Sequence, residues 1–491
     1  MWSTGGTCDD EARTEGVITK ATQIRAELGH PVIDADGHVL ELMPAVLPYL
    51  RETLGPRAFE RYRAPVDHDL IGAPPPEVRT RTRAPRASWW GSPTWKPRDL
   101  AASLAPRLLH ERLGEMGIDF AILYPTHGLG SAGIAEEEVR RGVCAGFNEF
   151  LAASYGPWSD RLAVAGTVPV DTPEEAIAEL EHCHALGIKV IAIPHAVLRP
   201  IETPEPTPWL YPGQTHWLDH LGLDSAYDYD PVWERCRQLG FAVTVHGGAG
   251  IPPVGWYTST SSFVANHIGS FLYMNYPICK ALLLGGVTRR FPDIPFVFQE
   301  CGVSWATGLL ADTIEHWEKR NVERLRAVND IDLLDIDELE RLVRQWAPEL
   351  VAATPGPLAA ALRAALISAP APDDLDEWAA MDVRGPRDIL QRFVPSFSFG
   401  CEADDRNVAA AFAPSNPLGA ELSVMLGSDI SHFDTPDFDE VLPDAHGLVR
   451  DGLLDADQFR RFTCDNAIRC FTRLNPAFFD GTSVEGAVPE R

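Results

Sequence analysis

Short apolar runs rich in Val, Ile and Phe recur along the chain, each ending in polar or ionisable residues and separated from the next by segments of helical periodicity. Buried parallel strands read this way when helices cover the sheet. Eight runs are placed: Pro31–His38, Phe120–His127, Leu162–Val170, Lys189–His195, Phe241–His246, Pro295–Glu300, Phe397–Glu402 and Ser423–Asp429. After the third, Thr172-Pro173-Glu174-Glu175 combines an N-cap, a proline at N1 and a glutamate at N3, so a helix starts there. Eight strands in this grammar predict an α/β fold, a (β/α)8 TIM barrel with its active site at the strands' C-terminal ends.

Two segments exceed what a barrel needs. Residues 48–110 are rich in proline and arginine and predict a long loop after strand 1. Residues 311–392 predict a helical insertion between strands 6 and 7, with helices over Ile336–Trp346 and Pro357–Ile367 split by a flexible Ser368–Asp374. An apolar helical face of that length must be buried, over the barrel mouth or in a subunit contact. Residues 1–30 read as an extension and 31–491 as one metal-dependent domain.

Composition narrows the partners. The 491 residues are 45% hydrophobic and 23% charged, as in a globular protein with a large core. Lys and Arg number 42 against 70 Asp and Glu, and the net charge of −28 repels nucleic acid and anionic membranes. Nine scattered cysteines without a C-x-x-C pair suggest reduced thiols. With no signal peptide and no apolar run of the ~18 residues a membrane helix needs, the expected location is cytoplasmic.

Candidate chemistry sits at the strand ends. Period-two alternation points Asp34, Asp36 and His38 to one side, the lumen of a barrel, where Asp36 and His38 can grip a metal ion or form a salt-bridged strand end. His246 closes the apolar Phe241–Val245, and Gly247-Gly248 after it leaves room for a ligand. Glu300 and Asp429 end buried runs, where a carboxylate needs a cation or an arginine beside it. His267, after the fifth strand, reads as ligand or support, and His195 and His432 as substrate-binding or supporting groups. Asp34, Glu41, His127, Glu402 and Asp405 can orient ligands through hydrogen bonds. Arg79, Arg81, Arg83 and Arg86, followed by Trp89 and Trp90, form either a substrate-binding phosphate handle with indoles to stack on a base or a solvated loop paired with the chain's own acids.

At these residues the chain resembles the amidohydrolase superfamily, in particular the branch of aminocarboxymuconate-semialdehyde decarboxylase and the resorcylate and carboxyvanillate decarboxylases. The likeness lies in Asp34–Glu41, Gly286–Pro292, Gly427–His432 and Asn475–Phe479. It implies metal ligands at His38, His246 and Asp429, with Asp36 replacing the first histidine of the usual His-x-His. Glu300 departs from the usual histidine of strand 6. Lys189 begins strand 4 and His195 ends it, so no carbamate bridge is expected.

The chain also resembles the TIM-barrel non-haem diiron monooxygenases. This implies two irons held by Asp36, His38, His246, His267, Glu300 and Asp429, the last three residues of His267, Glu300 and Asp429 being catalytic as well. It further implies O2 as co-substrate, an external reductant or electron-donor protein, and hydroxylation of a diterpenoid-type acyl-CoA in antibiotic biosynthesis. The alternative is a mononuclear zinc or manganese hydrolase or decarboxylase acting on a carboxylate. A non-catalytic barrel ranks last, because so many ionisable residues converge on one face. The carboxylate at strand 6 favours the oxygenase, and a homo-oligomer is compatible with each reading.

Overall fold

The computed structural model describes residues 19–66, 75–86, 96–202, 210, 214–247, 259–329, 333–366 and 376–489. The strands are β1 (Ile33–Val39), β2 (Phe120–Pro125), β3 (Leu162–Thr167), β4 (Val190–Ile193), β5 (Val197–Pro200), β6 (His216–Asp219), β7 (Ala242–Val245), β8 (Phe296–Phe298), β9 (Phe397–Glu402) and β10 (Ser423–Gly427). Eight run parallel in the order β1-β2-β3-β4-β7-β8-β9-β10, the (β/α)8 barrel expected, while β5 and β6 form a separate antiparallel pair after β4. All eight predicted strands are present. Most end a residue or more before the predicted limit, and His246, Glu300 and Asp429, just beyond β7, β8 and β10, have left the ladder to line the barrel mouth. No helix among the described residues is long and apolar enough to cross a membrane.

Both faces of each barrel strand are buried. Phe120, Ile122 and Tyr124 of β2 belong to the interior cluster with Ile33, Ala35, Val190 and Met425, while Ala121 and Leu123 face the helices. The helix predicted after β3 covers Pro173–Ala185, and the Thr172 hydroxyl accepts from the Glu175 N–H at 3.2 Å.

β1 departs from simple alternation. Asp34 is in register with Ala121 and His38 with Tyr124, and the register shifts between Asp34 and Gly37. One extra residue there inverts the phase of the strand. Asp36 and His38 reach the barrel mouth as predicted, whereas Asp34 lies on the opposite side. A Cβ on Gly37 would meet Asp34 Oδ2 at 2.7 Å, so glycine is what the bulge admits.

From that side Asp34 closes the barrel. Its carboxylate accepts from the Ser428 N–H at 2.9 Å, the Ser428 hydroxyl at 2.5 Å and the Asp36 N–H at 3.1 Å. The Asp429 N–H donates to the Asp36 carbonyl at 2.9 Å and the His38 N–H to the Ile430 carbonyl at 3.1 Å, so backbone bonds beyond the end of β10 join it to β1.

The two extra segments differ from a loop and a lid. Residues 48–110 include most of the helical stretch Met43–Val66 and the helices Pro76–Thr82, Pro97–Leu104 and part of Pro106–Arg112. Pro76, Pro97 and Pro106 open their helices, where a missing N–H costs nothing, and Gly55 at φ 66° separates two helical halves before Pro56. In the second segment, the helix Ser304–Arg320 packs on the barrel through Trp305, Leu309, Leu310 and Ile314. The helices Ile336–Trp346, Pro348–Ala353 and Leu358–Leu366 pack on one another, and Ser368–Asp374 lies outside the described residues.

Replacing Asp34 by Ala leaves the Ser428 and Asp36 N–H groups buried without their acceptor. Each orphaned donor should cost about 1–3 kcal/mol, read as a lower unfolding midpoint of the metal-free protein. An unchanged midpoint would show that the closure does not depend on this carboxylate.

Candidate metal centre

Six side chains from four strand ends converge at the barrel mouth. His38 Nε2 lies 3.1 Å from His246 Nε2, 3.3 Å from Glu300 Oε1 and 3.5 Å from Asp429 Oδ1. Asp36 Oδ1 is 3.4 Å from His246 Nε2 and 3.8 Å from His38 Nε2. His432 closes the ring, its Nδ1 2.6 Å from Asp429 Oδ1 and 3.6 Å from Glu300 Oε1. Two groups with metal-ligand spacing result, Asp36, His38 and His246, and His38, Glu300, Asp429 and His432, with His38 common to both.

Backbone geometry beyond the strands aims two of the carboxylates. Glu300 adopts φ 55° and Asp429 φ 50°, and Ser431, two residues later, φ 78°. Non-glycine residues in the left-handed region carry strain, and they persist where the surroundings over-determine them. At Asp429 the hydrogen bond to Asp36 and the Ser428 clasp on Asp34 supply that constraint.

Burial sets the electrostatics. Burial raises the Asp36 carboxyl, and it raises that of Asp429 strongly, with Glu300 and Asp434 adding to the shift. Burial also opposes charge on His246, but Glu300 and Asp36 outweigh it and push the imidazole up to about 9. For Glu300 burial is overcome by His246 and His38, which hold the carboxyl well below the usual range. His432 is driven down by burial and then by His38, so its ring is neutral. Asp36 Oδ1 and Asp429 Oδ1 are buried without an aligned hydrogen-bond donor, the 2.6 Å approach of His432 included. Unsatisfied buried acceptors amid nitrogen and oxygen donors with no thiolate fit a divalent cation such as zinc or manganese.

A floor of neutral polar groups lies beneath. Gln299 Nε2 donates to the Ala35 carbonyl at 2.8 Å and bonds the Tyr124 hydroxyl at 3.0 Å. Neither residue stands out in the sequence, since both fall inside apolar runs, although Gln299 is the one polar residue within Pro295–Gln299. His432 takes a more central place than a supporting one, and its proximity to Asp429 in Asp429-Ile430-Ser431-His432 is the signal that could have indicated it.

The other predicted residues stand further out. His267 stacks on Phe263 at 5.0 Å and meets Phe271 and Phe433 edge-on, outside both ligand groups. The space beside Gly247 is filled by Phe271 and Met274 rather than open to a ligand. His195 is buried beyond β4, its Nδ1 unsatisfied, and burial with His220 nearby pushes it down to about 3. Glu41 accepts from the N–H groups of Thr126, His127 and Gly128 and so holds the turn after β2. Glu402 is exposed at the end of β9, and Asp405 caps the turn Arg406–Phe412.

The arginines serve the loops. Arg79 Nε donates to the Thr260 carbonyl and Arg86 Nη1 to that of Ser261, both at 2.9 Å, while the Arg86 N–H donates to Ser259. They thereby tie the segment after β1 to the segment after β7. Arg81 and Arg83 are exposed, and Trp89 and Trp90 lie outside the described residues.

The amidohydrolase family profile matches residues 33–473. Among solved structures the chain is similar to an amidohydrolase from Mycobacterium avium subsp. paratuberculosis, with 15% identity, 90% of this chain and 100% of that one covered, and a TM-score of 0.50. It is also similar to 2,6-dihydroxybenzoate decarboxylase from Rhizobium, with 13% identity, 90% and 99% covered and a TM-score of 0.47. A third is 5-carboxyvanillate decarboxylase from Novosphingobium aromaticivorans with bound manganese, with 14% identity, 90% and 97% covered and a TM-score of 0.45. At such identities the likeness is one of fold. No curated protein sequence matches the chain.

The family match overturns the expected diiron monooxygenase, and the oxidoreductase, terpenoid and antibiotic-biosynthesis readings fall with it. Two of its supports are also missing from the geometry: His267 stands among aromatic rings, and Arg79 and Arg86 are engaged with backbone carbonyls. A parallel eight-stranded barrel with imidazoles and carboxylates gathered at its strand ends, matched by that profile over most of its length, places this chain in the amidohydrolase family.

Proposed function

We propose that the protein is a hydrolase or decarboxylase of a small carboxylate substrate that works with one divalent cation, zinc or manganese. The observation that carries this reading is the pair of buried, unsatisfied oxygens, Asp36 Oδ1 and Asp429 Oδ1, beside His38 and His246. We take residues 31–491 as one catalytic domain preceded by an extension. The eight described cysteines are all free thiols, which suits a cytoplasmic protein.

Asp36, His38, His246, Glu300 and Asp429 would hold the cation, which when bound supplies Lewis acidity toward an oxygen of the substrate. Five side chains exceed what a catalytic ion normally takes while keeping a position open. The surplus charge lets Glu300, held ionised by His246 and His38, orient both imidazoles. His432 has a different place. Its Nδ1 faces Asp429, and its Nε2 lies 3.4 Å from the Thr126 hydroxyl, on the outer side of the cluster. A neutral imidazole so placed can carry a proton between the substrate and the solvent side. The reading is tested by offering the metal-loaded protein a panel of small aromatic and aliphatic carboxylates and following CO2 release and hydrolysis. Turnover that survives removal of the cation would overturn it.

The cation should also report on stability. At a hundredfold excess over its Kd it should stabilise the folded chain by about 2.7 kcal/mol, seen as a raised melting temperature. His246→Ala should abolish that rise and the bound metal measured by mass spectrometry, while the circular dichroism spectrum is retained. A full metal complement in this variant would remove His246 from the ligand set.

His432→Asn should separate proton transfer from metal binding. Metal content should be kept while turnover falls by roughly 10²–10⁴-fold. Loss of the metal together with turnover would make His432 a ligand instead.

A further inference from the structure

The donors of the metal centre are shut away from solvent. Asp36, His38 and His246 are no more than 2% exposed, and Asp429 and His432 no more than 8%. On the metal-dependent reading proposed above, a substrate oxygen has to approach the cation to about 2 Å, so part of the cover must move.

The cover has two layers. The lower one is the short helix Phe263–His267, which follows β7. Phe263 and His267 lie 5.4 and 6.0 Å from the ring of Phe433, the residue after His432, and His267 also meets Phe271, which fills the space beside Gly247. The helix therefore reaches from the β7 side of the mouth to the β10 side, and β8, which ends in Glu300, stands between those strands in the ring. The upper layer is Pro75–Arg86, from the segment after β1, the first strand of eight where β7 is the fifth and so opposite. The chain is back at the end of β1 in the helix Pro97–Leu104, where the Leu40 N–H donates to the Ser103 carbonyl at 2.9 Å.

One side chain joins the layers. Asn266, 5% exposed in the lower helix, donates through Nδ2 to the Arg86 carbonyl at 2.7 Å and to the Ser259 carbonyl at 2.8 Å, and its Oδ1 accepts from the Ser259 N–H at 2.5 Å. Around it, the Arg86 N–H donates to the Ser259 carbonyl, and the Arg79 and Arg86 side chains grip the carbonyls of Thr260 and Ser261. These described bonds are all polar, and no residue of 75–86 is fully buried. Bonds of this kind exchange with water at little net cost, whereas an apolar core would resist parting. When Pro75–Arg86 lifts, Asn266 keeps both of its bonds to Ser259, so its buried amide is not orphaned.

We propose that Pro75–Arg86 is a strap, latched by Asn266, that fastens the helix Phe263–His267 over the metal centre and releases to admit substrate.

Diethyl pyrocarbonate, which acylates accessible neutral imidazoles, tests this on the full chain freed of metal, so the result does not depend on the cation. His432 should react slowly in the parent. Arg79→Ala combined with Arg86→Ala should raise its rate by roughly tenfold or more, read by peptide mass spectrometry, and Asn266→Ala should act in the same direction. His195, also buried but packed beside His220 beyond β4, is the internal control and should keep its parental rate. A His432 rate that stays parental in either variant, or that rises only in step with His195, overturns the strap. Uptake of zinc and manganese is measured separately: a chain that binds neither refutes the metal-dependent reading, while the labelling still decides the strap.

Discussion

Three carboxylates held out of water within reach of one another are the constraint on which this structure turns. Asp36, Glu300 and Asp429 approach the same two imidazoles, His38 and His246, and the three acids cannot all be ionised there without positive charge between them. Protonation of His246 and of Asp429 relieves part of the imbalance, which is why burial and the neighbouring acids move the two groups upward. A divalent cation held there would relieve it more fully and satisfy the bare oxygens as well. The site is therefore a charge arrangement first, and its chemistry follows from what completes it.

The barrel bears the cost of that arrangement through its backbone. Both Glu300 and Asp429 leave their strands through left-handed conformations, and Asp36 is delivered by a bulge rather than by regular pleating. Each device bends a side chain toward one point that straight strands would miss. The hydrogen bonds from Ser428 to Asp34 and from Asp429 to Asp36 hold the bends at β1 and at Asp429 in place, so the closure of the barrel and that part of the site are one construction.

Much of this was legible in the sequence because apolar runs ending in ionisable residues have few structural explanations. All eight strands and five of the convergent residues, Asp36, His38, His246, Glu300 and Asp429, follow from that pattern. Asp34 was misplaced because a one-residue bulge leaves no mark on composition yet inverts every side chain before it. His267 was overvalued because a histidine near a strand end in sequence can stack among phenylalanines in space. The proline-rich residues 48–110 read as loop, though Pro76, Pro97 and Pro106 open helices, where proline is at home. The arginine cluster displayed its charge but not the carbonyls that take up Arg79 and Arg86. The oxygenase reading went astray for a chemical reason: the same nitrogen and carboxylate donors serve iron, manganese and zinc, and a ligand list alone does not choose among reactions.

The span of the site along the chain, from Asp36 to His432, has a bearing on biosynthesis. At ribosomal speeds of ~5–20 residues per second, Glu300 emerges about 6–26 seconds before Asp429. Through that interval Asp34 has no Ser428 to clasp, and β1 and β9 present open edges that invite pairing with other chains. The set of side chains able to hold a cation is therefore complete only after β10 has docked on β1, as the last step of closing the barrel.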